Sequence, residues 1–252
     1  MEVVKKMKII FENFEDLPPR IQHLLEEERE RIPEVREKAL NRMSLLDECL
    51  KEMEISTEVE YPPVYVKPYA YVTPLDITKS YFTPFVRHAY VFTKKIDKFF
   101  TTVVGLSAAS LVLADKDELM GIFGHEFLHY ALKASLHLLF SRREPDSSFE
   151  PTELFIPPDK GEVLKHLEFD KLLLEYPNVG FKDDYVRRCI KSIELGGERS
   201  KALVNKIMKE WFERNLPCLP FEIEQIETQA SLPPRISIQS IRFPKDIIEK
   251  VS

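Results

Sequence analysis

The spacing of hydrophobic and polar positions changes several times along the chain, and each change predicts a different kind of element. A short apolar run over 8–11 is typical of a strand. From 18 to about 54 the sequence is rich in Glu, Arg and Leu, and we expect two helices separated at Pro33. From 57 to 93, Val, Tyr, Thr and Pro predominate, which predicts short strands with prolines at sheet edges.

The second half of the chain has a mainly helical pattern. A helix over 115–142 is predicted to begin at Asp115, because Glu118 follows three residues later in the arrangement of a capping box. Further helices are expected over 161–176 and 183–214. The proline-rich segment 216–252 indicates loops around short elements.

These blocks predict the fold class and the domain organisation. Strands gather in one region and helices in others, which favours an α+β fold over an alternating α/β fold. We expect residues 1–56 to form a strand and a helical arm, and residues 57–252 to form the main domain.

Composition narrows the classes of function. Basic and acidic residues are mixed along the chain and sum to a net charge of −6, which disfavours a nucleic-acid partner. The longest uncharged stretch, 99–114, has 16 residues and includes threonines and serines, so it falls short of the ~20 apolar residues of a transmembrane helix, and none is expected. The three cysteines form no CxxC pair, which is typical of buried thiols in a reducing compartment. We expect a cytoplasmic protein, and 31% charged residues with few Asn and Gln favour a thermophilic source.

The most informative string is His125-Glu126-Phe127-Leu128-His129, which has the HExxH pattern. Histidines four residues apart lie on one face of a helix, so both imidazoles can reach one zinc ion. Glu126 then points towards the remaining coordination site and can take a proton from a water activated by the metal. The alternative is a pair of helical histidines that make ordinary hydrogen bonds in the core without metal.

A zinc site of this kind needs a third protein ligand, and the sequence offers three candidates. They are His137, His166 with Asp170 one turn later, and Glu194 with Glu198 one turn later. His137 lies eight residues after His129, whereas the metzincin pattern requires six. Glycines favour Glu194, because Gly121 and Gly197 share helix faces with His125 and Glu194 and would allow the two helices to approach closely.

The segment 107–130, SAASLVLADKDELMGIFGHEFLHY, resembles the gluzincin metallopeptidases of the CAAX prenyl-protease and HtpX heat-shock protease type. In that family a second helix carries ExxxD, and Glu194-Leu-Gly-Gly-Glu198 is similar to it with Glu in place of Asp. His88-Ala89-Tyr90 resembles the family's edge-strand signature. The segment from Leu232 to Ile236 resembles its His-Pro…Arg-Ile segment without the His, which leaves Arg235 without a clear role.

The resemblance implies a zincin-like fold of a soluble, minigluzincin-like member. This fold has a small mixed sheet, an edge strand packed on the HExxH helix and a second glutamate-bearing helix. The implied zinc ligands are His125, His129 and Glu194, with Glu126 as general base and Glu198 supporting a ligand. The implied activity is that of a zinc metalloendopeptidase that binds an extended peptide or protein substrate along the edge strand.

Two other functions stay open on the sequence alone. A latent or non-catalytic zinc-binding zincin would act as a regulated precursor or a protein-binding module, with the N-terminal helices or the C-terminal tail over the cleft. A helical scaffold in which HExxH is accidental is the other. His88 is a candidate for orienting substrate or stabilising an oxyanion, although a lone histidine in a strand more often has a structural role.

Overall fold

The described part of the chain, residues 8–73, 85–142, 202–233 and 236–251 of a computed structural model, combines helices with two β-sheets. This confirms the α+β class. The strands are β1 (Ile9–Phe11), β2 (Val64–Lys67), β3 (Ala70–Thr73), β4 (Phe85–Arg87), β5 (Ala89–Ile96), β6 (Phe99–Ser107), β7 (Cys218–Pro220) and β8 (Ile241–Arg242). The helices are α1 (Pro19–Leu24), α2 (Ile32–Leu40), α3 (Met43–Thr57), α4 (Ala108–Leu113), α5 (Lys116–Arg142), α6 (202–207), α7 (Phe221–Ala230) and α8 (Lys245–Val251).

The larger sheet is mixed, with one antiparallel strand at its edge. Its order is β1-β2-β6-β5, and β8 pairs with β6 beyond the end of β2. Strands β1, β2, β6 and β8 are parallel, whereas β5 runs antiparallel to β6 over its whole length. The smaller sheet has the order β4-β3-β7. Strand β5 is therefore the edge of the larger sheet within the described residues, and it packs against α5.

Helix α5 begins as the sequence predicts. The backbone N–H of Asp115 donates to Oε2 of Glu118 at 2.8 Å, and the N–H of Glu118 donates to Oδ1 of Asp115 at 2.9 Å, which completes the capping box. One face of the helix is buried in the core, where the hydroxyl of Tyr61 donates to the carbonyl of Phe123 at 2.9 Å. The buried face of α5 comprises Leu119, Phe123, Phe127, Tyr130, Ala131 and Ala134. This face holds the helix at a fixed rotation, and the histidines of the motif lie on another face.

The N-terminal helices differ from the expected pair. Three helices occupy 18–57, and Pro33 lies in the first turn of α2 rather than at a break between two long helices. This position is favourable because the first helical turn has no partner for the proline's missing N–H. Strand β1 pairs with β2, and α3 packs on α5. The boundary between residues 1–56 and 57–252 stays a prediction.

The C-terminal segment 216–252 contains short elements joined by loops, as the sequence predicts. Helix α7 has ten residues, β8 joins the larger sheet, and Ile247 of α8 is completely buried. The prolines stand at element starts: Pro220 caps α7, and Pro244 directly precedes α8. A proline there sacrifices no intrahelical hydrogen bond, so a proline-rich segment can still form helices.

Two of the expected helices fall wholly or largely outside the described residues. These are the helix over 161–176 and most of the one over 183–214. The described part of the latter is α6, which is followed by a π-helical turn, Met208–Phe212. Within the described ranges, no helix is both long enough and apolar enough to cross a membrane.

A buried ion cluster fixes α7 to the larger sheet. The ammonium of Lys67 lies 2.6 Å from Oε2 of Glu12 and 3.0 Å from Oε1 of Glu224. The hydroxyls of Tyr69 and Tyr90 each donate to Glu224 at 2.6 Å. Burial alone would lower the pKa of Lys67, but the two carboxylates raise it above its ordinary value. The cluster thus stays charged and holds the start of α7 beside β5.

Gly105 of β6 is expected to tolerate no side chain. A Cβ atom there would lie 2.6 Å from Cε1 of Tyr90 and 3.1 Å from the hydroxyl of Tyr71. Tyr90 cannot move cheaply, because its hydroxyl is bound to Glu224 and its ring stacks on Phe92 at 4.8 Å. Gly105→Ala should lower the free energy of unfolding by about 1–3 kcal/mol. Urea unfolding of both proteins measures this, and an unchanged midpoint would contradict the packing.

Candidate functional site

The two motif histidines face each other on α5. Their Nε2 atoms are 3.0 Å apart, and their ring centroids are 4.7 Å apart at an interplanar angle of 76°. The four-residue spacing places them one turn apart, and the buried stripe that includes Phe123 and Phe127 fixes the face on which they lie. Both rings are partly exposed. The structure therefore brings His125 and His129 together in the way that the spacing predicts.

The distance between the two Nε2 atoms is close to that of two nitrogens bound to one zinc ion. Two nitrogens bound to one tetrahedral zinc at about 2.1 Å lie about 3.4 Å apart, so little side-chain movement separates the observed pair from that geometry. Imidazole nitrogen is a preferred zinc ligand. Two histidines alone do not complete a site, and no group of three metal-binding side chains comes together among the residues that the structure describes.

Glu126 is almost fully buried, with 5% of its surface exposed, and two cations from different elements influence it. Burial lowers the pKa of Arg87, at the end of β4, and the charge of Glu126 opposes this change. Burial also lowers the pKa of Lys133 to about 8, again opposed by Glu126. The Arg87 guanidinium lies 4.2 Å from the ring centroid of Phe221, the first residue of α7. The carboxylate next to the paired histidines thus lies in a positively charged environment.

His88 lies between β4 and β5, on the side of the site where β5 begins. Its Nδ1 is 2.9 Å from Oγ of Ser110, which is fully buried. Burial, with a further contribution from the charge of His125, lowers the pKa of His88 to about 4. His88 is consequently neutral at physiological pH. The contact with Ser110 indicates a structural role for His88. The role in substrate binding that was considered from the sequence stays a prediction.

His137, one of the candidate third ligands, is not brought to the pair. Eight residues of α-helix separate it from His129 by about 12 Å along the axis. Its Nδ1 is 2.9 Å from the carbonyl oxygen of Ile238, and its ring lies 5.3 Å from that of Phe243. His137 therefore helps to anchor the C-terminal segment on α5.

The other candidates cannot be placed relative to the pair. Glu194, Glu198, His166 and Asp170 lie outside the described residues, as does Arg235. Glu194 as third ligand and Glu198 as its supporting residue remain predictions.

The sequence alone did not identify two charged residues at the site, Lys133 and Arg87. Lys133 had a signal in the sequence, because it follows His129 by four residues and therefore shares its helix face. No feature of the sequence indicated Arg87, because its electrostatic interaction with Glu126 depends on how β4 is placed relative to α5. Comparisons with protein-family models, with curated proteins and with solved structures give no match to this chain.

Proposed function

We propose that the chain is a zinc-dependent endopeptidase with a zincin-like arrangement of sheet and helix. One observation carries the proposal: the paired imidazoles and the buried carboxylate of Glu126 lie on a helix that packs beside β5, the antiparallel strand at the sheet's edge among the described residues. An extended peptide can add to such an edge by backbone hydrogen bonding, and its scissile carbonyl would then lie near the histidines.

Different residues of the chain would bind the metal and transfer the proton. His125 and His129, with Glu194 as the third ligand, would hold the zinc ion, and Glu198 would orient a ligand. Zinc, when bound, acts as a Lewis acid that polarises a carbonyl and lowers the pKa of water. Glu126 would accept the proton of the attacking water and pass it to the leaving amine.

Two cations that interact electrostatically with Glu126 support its proposed role as the base. A positive charge nearby favours the charged form of a carboxylic acid, and both Arg87 and Lys133 interact with Glu126. Peptide hydrolysis needs such a base in its ionised form, so this environment supports a catalytic carboxylate.

The proposal is tested with purified chain and an unstructured, fluorescently labelled protein substrate such as casein. We expect cleavage that a chelator stops and that added zinc restores. A folded, zinc-loaded chain that leaves several unstructured proteins and peptide libraries uncut would contradict it.

A latent form of the same site is the second candidate, because the C-terminal helix α7 packs on Arg87, a cation that interacts electrostatically with Glu126. The Arg87 guanidinium lies 4.2 Å from the ring centroid of Phe221, and it also interacts electrostatically with Glu222. Removing the C-terminal segment is a poor test, since Ile241 and Ile247 belong to the core. Activity of the intact chain is the better measurement, because cleavage without any processing excludes latency.

A further inference from the structure

Lys133 extends from the motif helix to the edge strand. It lies four residues after His129 and seven after Glu126, which places the three side chains on one side of α5. Its ammonium is 3.4 Å from the carbonyl oxygen of Val91 in β5. The lysine is partly buried and interacts electrostatically with Glu126. It is therefore a cation located between the proposed reacting groups and the sheet edge.

The carbonyl that Lys133 contacts belongs to the side of β5 that faces away from β6. The carbonyl of His88 accepts from the N–H of Ser107 in β6 at 2.9 Å, so alternate residues from His88 onwards turn their backbone groups towards β6. By the same alternation Ala89, Val91 and Thr93 turn theirs away. No strand within the described ranges pairs with this side. A peptide strand that pairs with this side of β5 would therefore run beside the Lys133 side chain.

Helix α5 and strand β5 advance in the same direction. At one end the charge of His125 contributes to the lowered pKa of His88, and at the other the ammonium of Lys133 lies 3.4 Å from the carbonyl oxygen of Val91. Three residues of strand span about 10 Å and eight residues of helix about 12 Å, so the two paths match in length. A peptide that pairs antiparallel with β5, the commoner kind of pairing, would place its amino-terminal side at Lys133.

We propose that Lys133 is a specificity residue that selects substrates with an acidic side chain on the amino-terminal side of the scissile bond. This inference rests on the proposed peptidase function. A substrate carboxylate would form a charge-assisted hydrogen bond with the ammonium and replace its contact with Val91, which is long and weak at 3.4 Å.

The same charge excludes other substrates. A lysine or arginine side chain at this position, or the free amino terminus of a peptide, would be repelled by an ammonium that is partly shielded from water. The site would therefore act within a chain rather than remove amino-terminal residues.

The test uses quenched fluorescent peptides that differ only by Glu, Gln or Lys at the three positions before the scissile bond. At one position the wild type should cleave the Glu peptide about tenfold more efficiently than the Gln peptide, mainly through a lower KM. Lys133→Met should reduce this ratio to about one, and Lys133→Arg should keep it. Lys51→Met is the matched control, because Lys51 is an exposed lysine of α3, outside the proposed substrate path, and its loss should leave the ratio unchanged.

Binding to Glu126→Gln separates this inference from the proposed function. Fluorescence anisotropy with the same peptides should show about tenfold tighter binding of the Glu peptide, lost on adding Lys133→Met. Absence of cleavage by the wild type counts against the peptidase function, and the binding ratio alone then decides the role of Lys133. Equal binding of the Glu and Gln peptides, no binding of either, or a ratio that survives Lys133→Met overturns it. Lys133→Gln replaces Lys133→Met if the latter fails to fold by circular dichroism.

Discussion

Glu126→Gln should lower kcat/KM for peptide cleavage by about 10²–10⁴-fold, the usual contribution of a general base. Gln has nearly the same shape as Glu, so it keeps the packing of a side chain that is only 5% exposed, but it cannot accept the proton of the attacking water. Zinc content should stay that of the wild type. Initial rates with a quenched peptide and metal analysis of both proteins measure the two effects.

Asp117→Asn is the matched control for Glu126→Gln. Asp117 is an exposed carboxylate on the same helix, and its change should leave kcat/KM within about twofold, since surface substitutions have small effects. Wild-type cleavage by Glu126→Gln would show that this carboxylate is not the base. Loss of zinc in that variant would instead make Glu126 part of the metal site.

His125→Ala and His129→Ala should each weaken zinc binding by more than about 100-fold, and peptide cleavage should be lost with the metal. Removing a residue that merely supports a ligand typically costs 10–100-fold in metal affinity, and loss of a ligand costs more. The two Nε2 atoms lie 3.0 Å apart, so loss of either imidazole leaves one nitrogen of the pair to hold the ion. Competition with a zinc-binding dye measures the affinity of each variant.

His137→Ala is the control for the two ligand variants. It removes a histidine from the same helix, but one whose ring is bound to the carbonyl of Ile238 about 12 Å further along. Its zinc affinity should equal that of the wild type. If His137→Ala lost zinc as completely as His129→Ala, the assignment of the ligand face of α5 would be wrong.

The motif helix was predictable because its signals are local. The capping pair Asp115 and Glu118 lies within four residues, and the structure has both reciprocal hydrogen bonds. The four-residue spacing of His125 and His129 likewise depends only on the pitch of an α-helix. These features need no knowledge of the rest of the fold.

The environment of Glu126 was not predictable, because it depends on tertiary packing. Arg87 interacts electrostatically with this carboxylate from another element, and charged residues at strand ends are usually solvated. Lys133 shares the helix face of the motif, but its proximity to β5 emerges only when the edge strand lies beside α5. Sequence spacing reports neighbours along one helix, and it says little about contacts between elements.

The position of a proline relative to a helix could not be read from the sequence. Pro33 was expected to separate two helices and instead occupies the first turn of α2. The C-terminal segment was expected to hold short elements among loops, and Pro220 and Pro244 stand at the starts of two of these elements, α7 and α8. A proline interrupts a helix interior and is favourable at a helix start, and local sequence alone does not separate the two cases.

Zinc titration of the purified, metal-free chain tests the proposed metal centre most directly. The wild type should bind about one zinc ion per chain, as expected for a single catalytic site. Glu194→Ala should bind it at least about 100-fold more weakly, because a ligand is lost. A wild-type chain that is folded by circular dichroism and binds no zinc would contradict the metal centre and the peptidase function together.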